Sequence, residues 1–188
     1  MTANPLFSHR NGRGLVLIGY RGSGKSTVGK IVADRLNRPF RDTDLEVEAR
    51  SQRSIAAIFA DLGEPSFRDW EERTIAELVA GIPDAVLATG GGVVLRPTNR
   101  QRLRAFGFVV WLAADPEELA RRLATDSQSA TSRPALTREG TLNEIVRVLA
   151  ARFQLYQETA DVTVETVGKS PDLVASAIID CWLGELKP

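Results

Sequence analysis

Eight residues set behind an apolar run restrict what this chain can fold into more than any other part of it. Leu15-Val16-Leu17-Ile18 reads as a buried strand, and Gly19-Tyr20-Arg21-Gly22-Ser23-Gly24-Lys25-Ser26 directly after it fits the pattern G-x-x-x-x-G-K-S/T. Val28, Ile31, Val32 and Leu36 then keep helical spacing, which predicts a helix over 25–36. A strand, a glycine-rich turn and a helix N-terminus in that order aim backbone N–H groups and the positive end of a helix dipole at one point. That arrangement suits the phosphates of a nucleotide. In this reading Gly22, Ser23, Gly24 and Thr27 belong to the cradle. Lys25 reaches the β- and γ-phosphates, and the Ser26 hydroxyl ligates Mg²⁺.

The remaining apolar runs place this loop in a larger fold. Ala85 to Ala88 and Phe108 to Leu112 are short and almost continuous, as strands buried on both faces of a parallel sheet should be, with weaker strands at Pro39 to Arg41 and Val162 to Val164. Leu142, Ile145, Val146, Leu149, Phe153 and Tyr156 keep helical spacing. The expected class is α/β, three layers with a five-stranded parallel sheet between helices. Right-handed crossovers gather the strand C-terminal ends, with their loops, along the edge where ligands bind. With 188 residues, one domain over 13–188 behind a flexible polar leader at 1–12 is expected.

Composition narrows the partners. Lys+Arg and Asp+Glu are both 24, so no global field draws in nucleic acid or an anionic membrane, and anion binding has to be organised locally. Lysine occurs only at positions 25, 30, 169 and 187, which leaves that work largely to arginine, whose planar fork suits carboxylates and phosphates. The single cysteine, Cys181, excludes an intrachain disulfide and falls in the stripe Leu173, Val174, Ala177, Ile178, Trp182, where a small buried apolar residue is expected. No stretch of signal-peptide character stands at the N-terminus, and none approaches about 18 uninterrupted apolar residues. A cytoplasmic monomer with no nucleic-acid or membrane partner is the expectation.

Chemistry concentrates in the segments that follow strands. Asp42-Thr43-Asp44 closes the second strand, so both carboxylates emerge at the edge that carries the phosphate loop. One can turn to Mg²⁺ and its waters and the other to an acceptor hydroxyl, or Asp44 can serve as the N-cap of the helix beginning Leu45-Glu46. Thr89-Gly90-Gly91-Gly92 follows the third strand and marks either a close approach to a ligand or a tight turn. Phe67-Arg68-Asp69-Trp70-Glu71-Glu72 opens a helix near whose start a cation gains nothing from the dipole. Arg68 is therefore either functional or one half of a surface pair with Glu71 or Glu72. The polar run 125–132 reads as a mobile loop or a lid, and Arg133 closes it, where a lid arginine can neutralise a transferring phosphoryl group.

The phosphate loop, Asp42-x-Asp44, Phe67-Arg68-x-x-Glu71, Gly90-Gly91-Gly92, Arg133-Pro134 and Arg152-x-x-x-Tyr156, in that order, resemble shikimate kinase from about Gly14 to Leu183. The resemblance implies the P-loop kinase fold and Mg²⁺-dependent transfer of a phosphoryl group from ATP to the 3-hydroxyl of shikimate. It implies a shikimate-binding region at about 44–81 and a lid at about 123–138. Lys25, Asp44 and Arg133 become catalytic, Asp42 joins Ser26 at the metal, and Asp44, Arg68, Gly90, Gly91, Gly92 and Arg152 bind shikimate. Arg122 resembles the residue that stacks on adenine. The chain departs from the family at Arg133-Pro134-Ala135-Leu136, where the family commonly has Arg-Pro-Leu-Leu, in a longer stretch from Arg122 to Arg133, and at Gln154, where a proline is common. A kinase of the same architecture for another polyol acid, such as gluconate, is the main rival. A guanine-reading switch lacks its Asn-Lys-x-Asp run here, and a catalytically dead domain fits poorly with Lys25, Ser26, Asp42 and Asp44 all present.

Overall fold

The computed structural model describes residues 13–125 and 141–184. The expected leader, Arg133 and most of the expected lid lie outside the described residues. Five strands form one sheet: β1 (Gly14–Ile18), β2 (Phe40–Asp42), β3 (Val86–Ala88), β4 (Gly107–Ala113) and β5 (Val162–Glu165), in the spatial order β2-β3-β1-β4-β5. All the pairings are parallel, with Leu15 opposite Val86 on one side and Phe108 on the other. The chain leaves β1 toward β2 on one side and later returns to place β4 on the other. A crevice therefore opens beyond the C-terminal ends of β1 and β3, where such sheets bind ligands.

Between the strands run α1 (Lys25–Leu36), α2 (Thr43–Ser51), α3 (Ile55–Gly81), α4 (Pro97–Phe106), α5 (Pro116–Thr125), α6 (Thr141–Thr159) and α7 (Pro171–Leu183), with a short 3-10 turn at Val93–Leu95. The period-two alternation of β1 sorts them into two layers. Leu15 and Leu17 pack with Val28 and Val32 of α1 and with Val174, Ile178 and Trp182 of α7. Val16 and Ile18 face the other way, onto Ile75 and Leu78 of α3, Leu103 of α4 and Tyr156 of α6. Helices thus cover both faces, and β1 has no exposed residue. Cys181 packs at the margin of the first cluster and is half-buried there rather than fully buried as its stripe predicts.

One element differs from expectation. Phe67 does not open a helix: α3 begins at Ile55, capped by the Ser54 side chain, and breaks at Gly63, whose φ of 78° and ψ of 169° no helix adopts. Pro65 stands in the first turn after that break, where its missing N–H costs little. The sequence pattern marked the second arm and missed the first.

Candidate active site

The phosphate loop has the local geometry its sequence demands. Gly22 and Gly24 sit at φ 79° and 93°, in the left-handed region that favours glycine, and Gly24 hands the chain to α1. No side chain caps α1 and no acidic residue stands in its first turn, so its N-terminal N–H groups and dipole are left to an anion. Lys25 is buried, and its Nζ donates to the Tyr20 carbonyl at 2.7 Å and to Ser23 Oγ at 3.3 Å. These contacts hold the ammonium over the loop rather than out in solvent.

Asp42 uses both of its oxygens. Ser26 Oγ donates to Oδ2 at 2.5 Å, and the Asp44 N–H donates to Oδ1 at 3.0 Å. The second bond makes Asp42 the N-cap of α2, which corrects the alternative that Asp44 fills that role. Asp44 instead stands in the first turn and lines the same cavity as Ser26 and Asp42. The Ser26 hydroxyl and Asp42 carboxylate are hard oxygen donors of the kind Mg²⁺ takes, one or two from protein and the rest from phosphates and water.

The glycine loop after β3 forms the opposite wall. Thr89 is tied back to the Leu17 carbonyl by both its N–H and its hydroxyl, and the Gly90 N–H donates to Thr43 Oγ1 at 3.1 Å. The Gly91 carbonyl accepts from Arg152 Nη1 at 3.0 Å and from the Tyr156 hydroxyl at 2.5 Å. Burial pushes that hydroxyl up to about 12, so it stays a neutral donor. A Cβ on Gly92 would stand 2.3 Å from Arg68 Nη2, so only glycine lets the guanidinium lie where it does.

Arg68 is 7% exposed and paired with Glu71 (2.8 Å), itself buried, and with Glu64 (2.8 Å). The surface-pair alternative is therefore wrong about the surface, and Glu72 pairs elsewhere, with Arg96 and Arg102. Burial works against the charge of Arg68, but the two carboxylates outweigh it and raise its pKa. Arg68, Glu71 and Arg152 converge on the glycine loop from α3 and α6, as no stretch of sequence could show.

A cavity of about 860 Å³ runs between the walls and beyond the phosphate loop. Of the residues expected on the acceptor side, Asp44 and Gly91 line it, whereas Arg68 and Arg152 are turned onto their acidic and carbonyl partners. Its far end is lined by Thr166, Val167, Gly168, Lys169 and Pro171 of the β5–α7 connection, which no motif marked. Arg122 closes that end. It bonds Glu118 at 2.7 Å, Thr166 Oγ1 and O at 3.0 Å, and the Gly22 carbonyl at 3.4 Å, bracing α5 against the phosphate loop. Hydrogen bonds from Arg121 and Arg122 hold the Glu118 carboxyl down at about 2, so that brace is ionised at any ordinary pH.

With this geometry in place, comparison with known proteins is specific. The family model described as shikimate kinase matches residues 21–182. A shikimate kinase of Pseudomonas syringae pv. tomato is 44% identical over 176 residues, covering 94% of this chain and 99% of that protein. Among solved structures, a shikimate kinase from Acinetobacter baumannii in complex with shikimate superposes with a TM-score of 0.87 at 33% identity, covering 96% of this chain and 98% of that one. A gluconokinase from Sinorhizobium meliloti reaches a TM-score of 0.58 at 18% identity over 94% of each chain, a likeness of fold alone.

Proposed function

The chain belongs to the shikimate kinase family and has the three-layer P-loop kinase fold, and from that premise we propose how it works. It is an ATP-dependent kinase that phosphorylates the 3-hydroxyl of shikimate, giving shikimate 3-phosphate and ADP on the route to chorismate and the aromatic amino acids. One observation carries the reading beyond kinship: the phosphate loop, Asp44 and Gly91 of the arginine-backed glycine loop line a single cavity.

In the proposed reaction the 3-hydroxyl oxygen bonds to the γ-phosphorus as the bridging bond to the β-phosphate breaks, and the hydroxyl proton passes to Asp44. Lys25 neutralises charge on the β- and γ-phosphates while the N–H groups of 22–27 hold them. The Ser26 hydroxyl would ligate Mg²⁺ with Asp42 in its outer shell, and the ion would supply charge neutralisation on the phosphates. Arg68 and Arg152 bind the carboxylate of shikimate, and a carboxylate-sized anion can draw them off the partners that hold them now. Arg122 lies against the adenine. Arg133 is assigned to the transferring phosphoryl group and a lid at about 123–138 to excluding water.

We further read residues 13–188 as one catalytic domain behind a leader, acting as a cytoplasmic monomer without nucleic-acid or membrane partners. Balanced charge supports this, and no helix among the described residues is long and apolar enough to cross a membrane. A gluconate kinase of the same architecture would keep the phosphate loop but need not keep Arg68, the glycine triplet and Arg152 together. The deciding test is ADP release with shikimate, with gluconate and with no acceptor: strong stimulation by shikimate alone is expected. Stimulation by gluconate, or ADP release indifferent to acceptor, overturns the proposal.

A further inference from the structure

Two consecutive phosphate-loop residues, both at positions where the loop motif makes no demand, meet the first turns of α6. Tyr20 is buried in an apolar cluster with Ile145 of α6 and Leu119 of α5. Beside it, Arg21 Nη2 pairs with Glu144 Oε1 at 3.3 Å, and the Glu144 side chain is only 2% exposed. On the other flank of Arg21, its backbone nitrogen would lie 3.2 Å from a Cβ placed on Gly91, so this residue stands where the phosphate loop touches the glycine loop. Two turns beyond Glu144 on the buried side of the same helix come Arg152, and then Tyr156, both bonded to the Gly91 carbonyl.

We propose that Arg21 and Glu144 form a positioning pair that seats α6 on the phosphate loop and thereby sets Arg152 against the glycine loop. Residue 21, which the phosphate-loop motif leaves free, thus tunes affinity for the acceptor's carboxylate. This rests on the assignment of Arg152 to shikimate made above. The quality of the contact argues for placement over stability. It is a single N–H···O interaction at 3.3 Å, and Arg21 Nε is shut off from water with no acceptor among the described residues. An ion pair met by one long bond gives little net stability, so its value lies in where it holds the two elements. Tyr20 and Ile145 give the helix its grip, and the pair sets its rotation and height, which decide where Arg152 arrives.

The test is a double-mutant cycle on the full chain with Arg21→Met, Glu144→Gln and both, read by calorimetric affinity for shikimate and for an ATP analogue and by steady-state kinetics. Each single change is expected to weaken shikimate binding about tenfold while ATP-analogue affinity stays within about twofold, and the double variant is no worse than either single. Arg21→Lys, which keeps the cation, is expected to recover most of the loss and serves if Arg21→Met does not fold. Two results overturn the proposal: additive losses, or Arg21→Met lowering kcat and ATP-analogue affinity while Glu144→Gln leaves shikimate binding intact. The second places Arg21 directly on the phosphates. Hydrogen exchange without substrate separates this proposal from the functional one: both single variants are expected to speed exchange in 142–150 and at Gly91. Unchanged exchange there sinks the pair even if shikimate proves not to be the acceptor.

Discussion

Gly92 and Arg68 are one feature rather than two. The glycine has no side chain because the guanidinium occupies the space where a Cβ would be, 2.3 Å from Nη2. Gly92→Ala must therefore push Arg68 out of its bonds to Glu64 and Glu71 without touching the phosphate loop. The expected outcome is a raised KM for shikimate with KM for ATP nearly unchanged. Arg68→Ala is expected to weaken shikimate binding by about 2 to 5 kcal/mol, the usual result of truncating one partner of a buried charged contact. Calorimetric shikimate affinity equal to wild type in both variants removes Arg68 from the acceptor site. At this scale the sequence named Arg68, Arg152 and the glycines but could not say what they touch. Contacts such as Arg152 to Gly91 span 61 positions and depend on packing. Arg21 escaped notice because the phosphate-loop pattern tolerates any residue there.

The segment from β2 into α2 shows how an element can carry two duties on one side chain. Asp42 ends the strand, caps the helix with Oδ1 and meets Ser26 with Oδ2. Asn keeps one carbonyl oxygen for the cap but has no charge to offer a metal. Asp42→Asn is therefore expected to melt close to wild type while needing more Mg²⁺ for half-maximal activity. Asp42→Ala also loses the cap and about 1 kcal/mol of stability. Equal Mg²⁺ requirements in wild type and both variants would remove Asp42 from the metal. The sequence located this junction to within a residue but left open whether Asp44 caps the helix and did not offer Asp42 for that role, because spacing alone does not reveal which of two aspartates has left the strand. The first arm of α3 was missed for a related reason. Gly63 and Pro65 interrupt the helical pattern, yet the chain bends there and continues helical on both sides, held by Ile55, Ile58 and Phe67 against Val47 of α2.

The whole molecule sets its two walls on different elements of one sheet, so each substrate is expected to stabilise the fold that both share. Shikimate at 100 times its dissociation constant contributes about 2.7 kcal/mol, and for a chain of this length that is roughly 5 to 10 °C in Tm. A thermal scan showing no shift at such a concentration excludes specific binding. The sequence by itself determined the phosphate loop, the parallel α/β class and the family. Each depends on local order, a strand, a turn and a helix in succession, or on periodicity within one element. The tertiary structure alone decided that Arg68 is buried on Glu71 under Gly92, that Arg122 braces α5 to the phosphate loop, and that Glu144 meets Arg21. Arg68 and Glu71 are neighbours on one helix, and their spacing in the sequence already offers them as a pair. Their burial under Gly92, and the contacts of Arg122 with Gly22 and Glu144 with Arg21, join residues far apart in the chain and follow from how helices seat on the sheet. No local pattern records that.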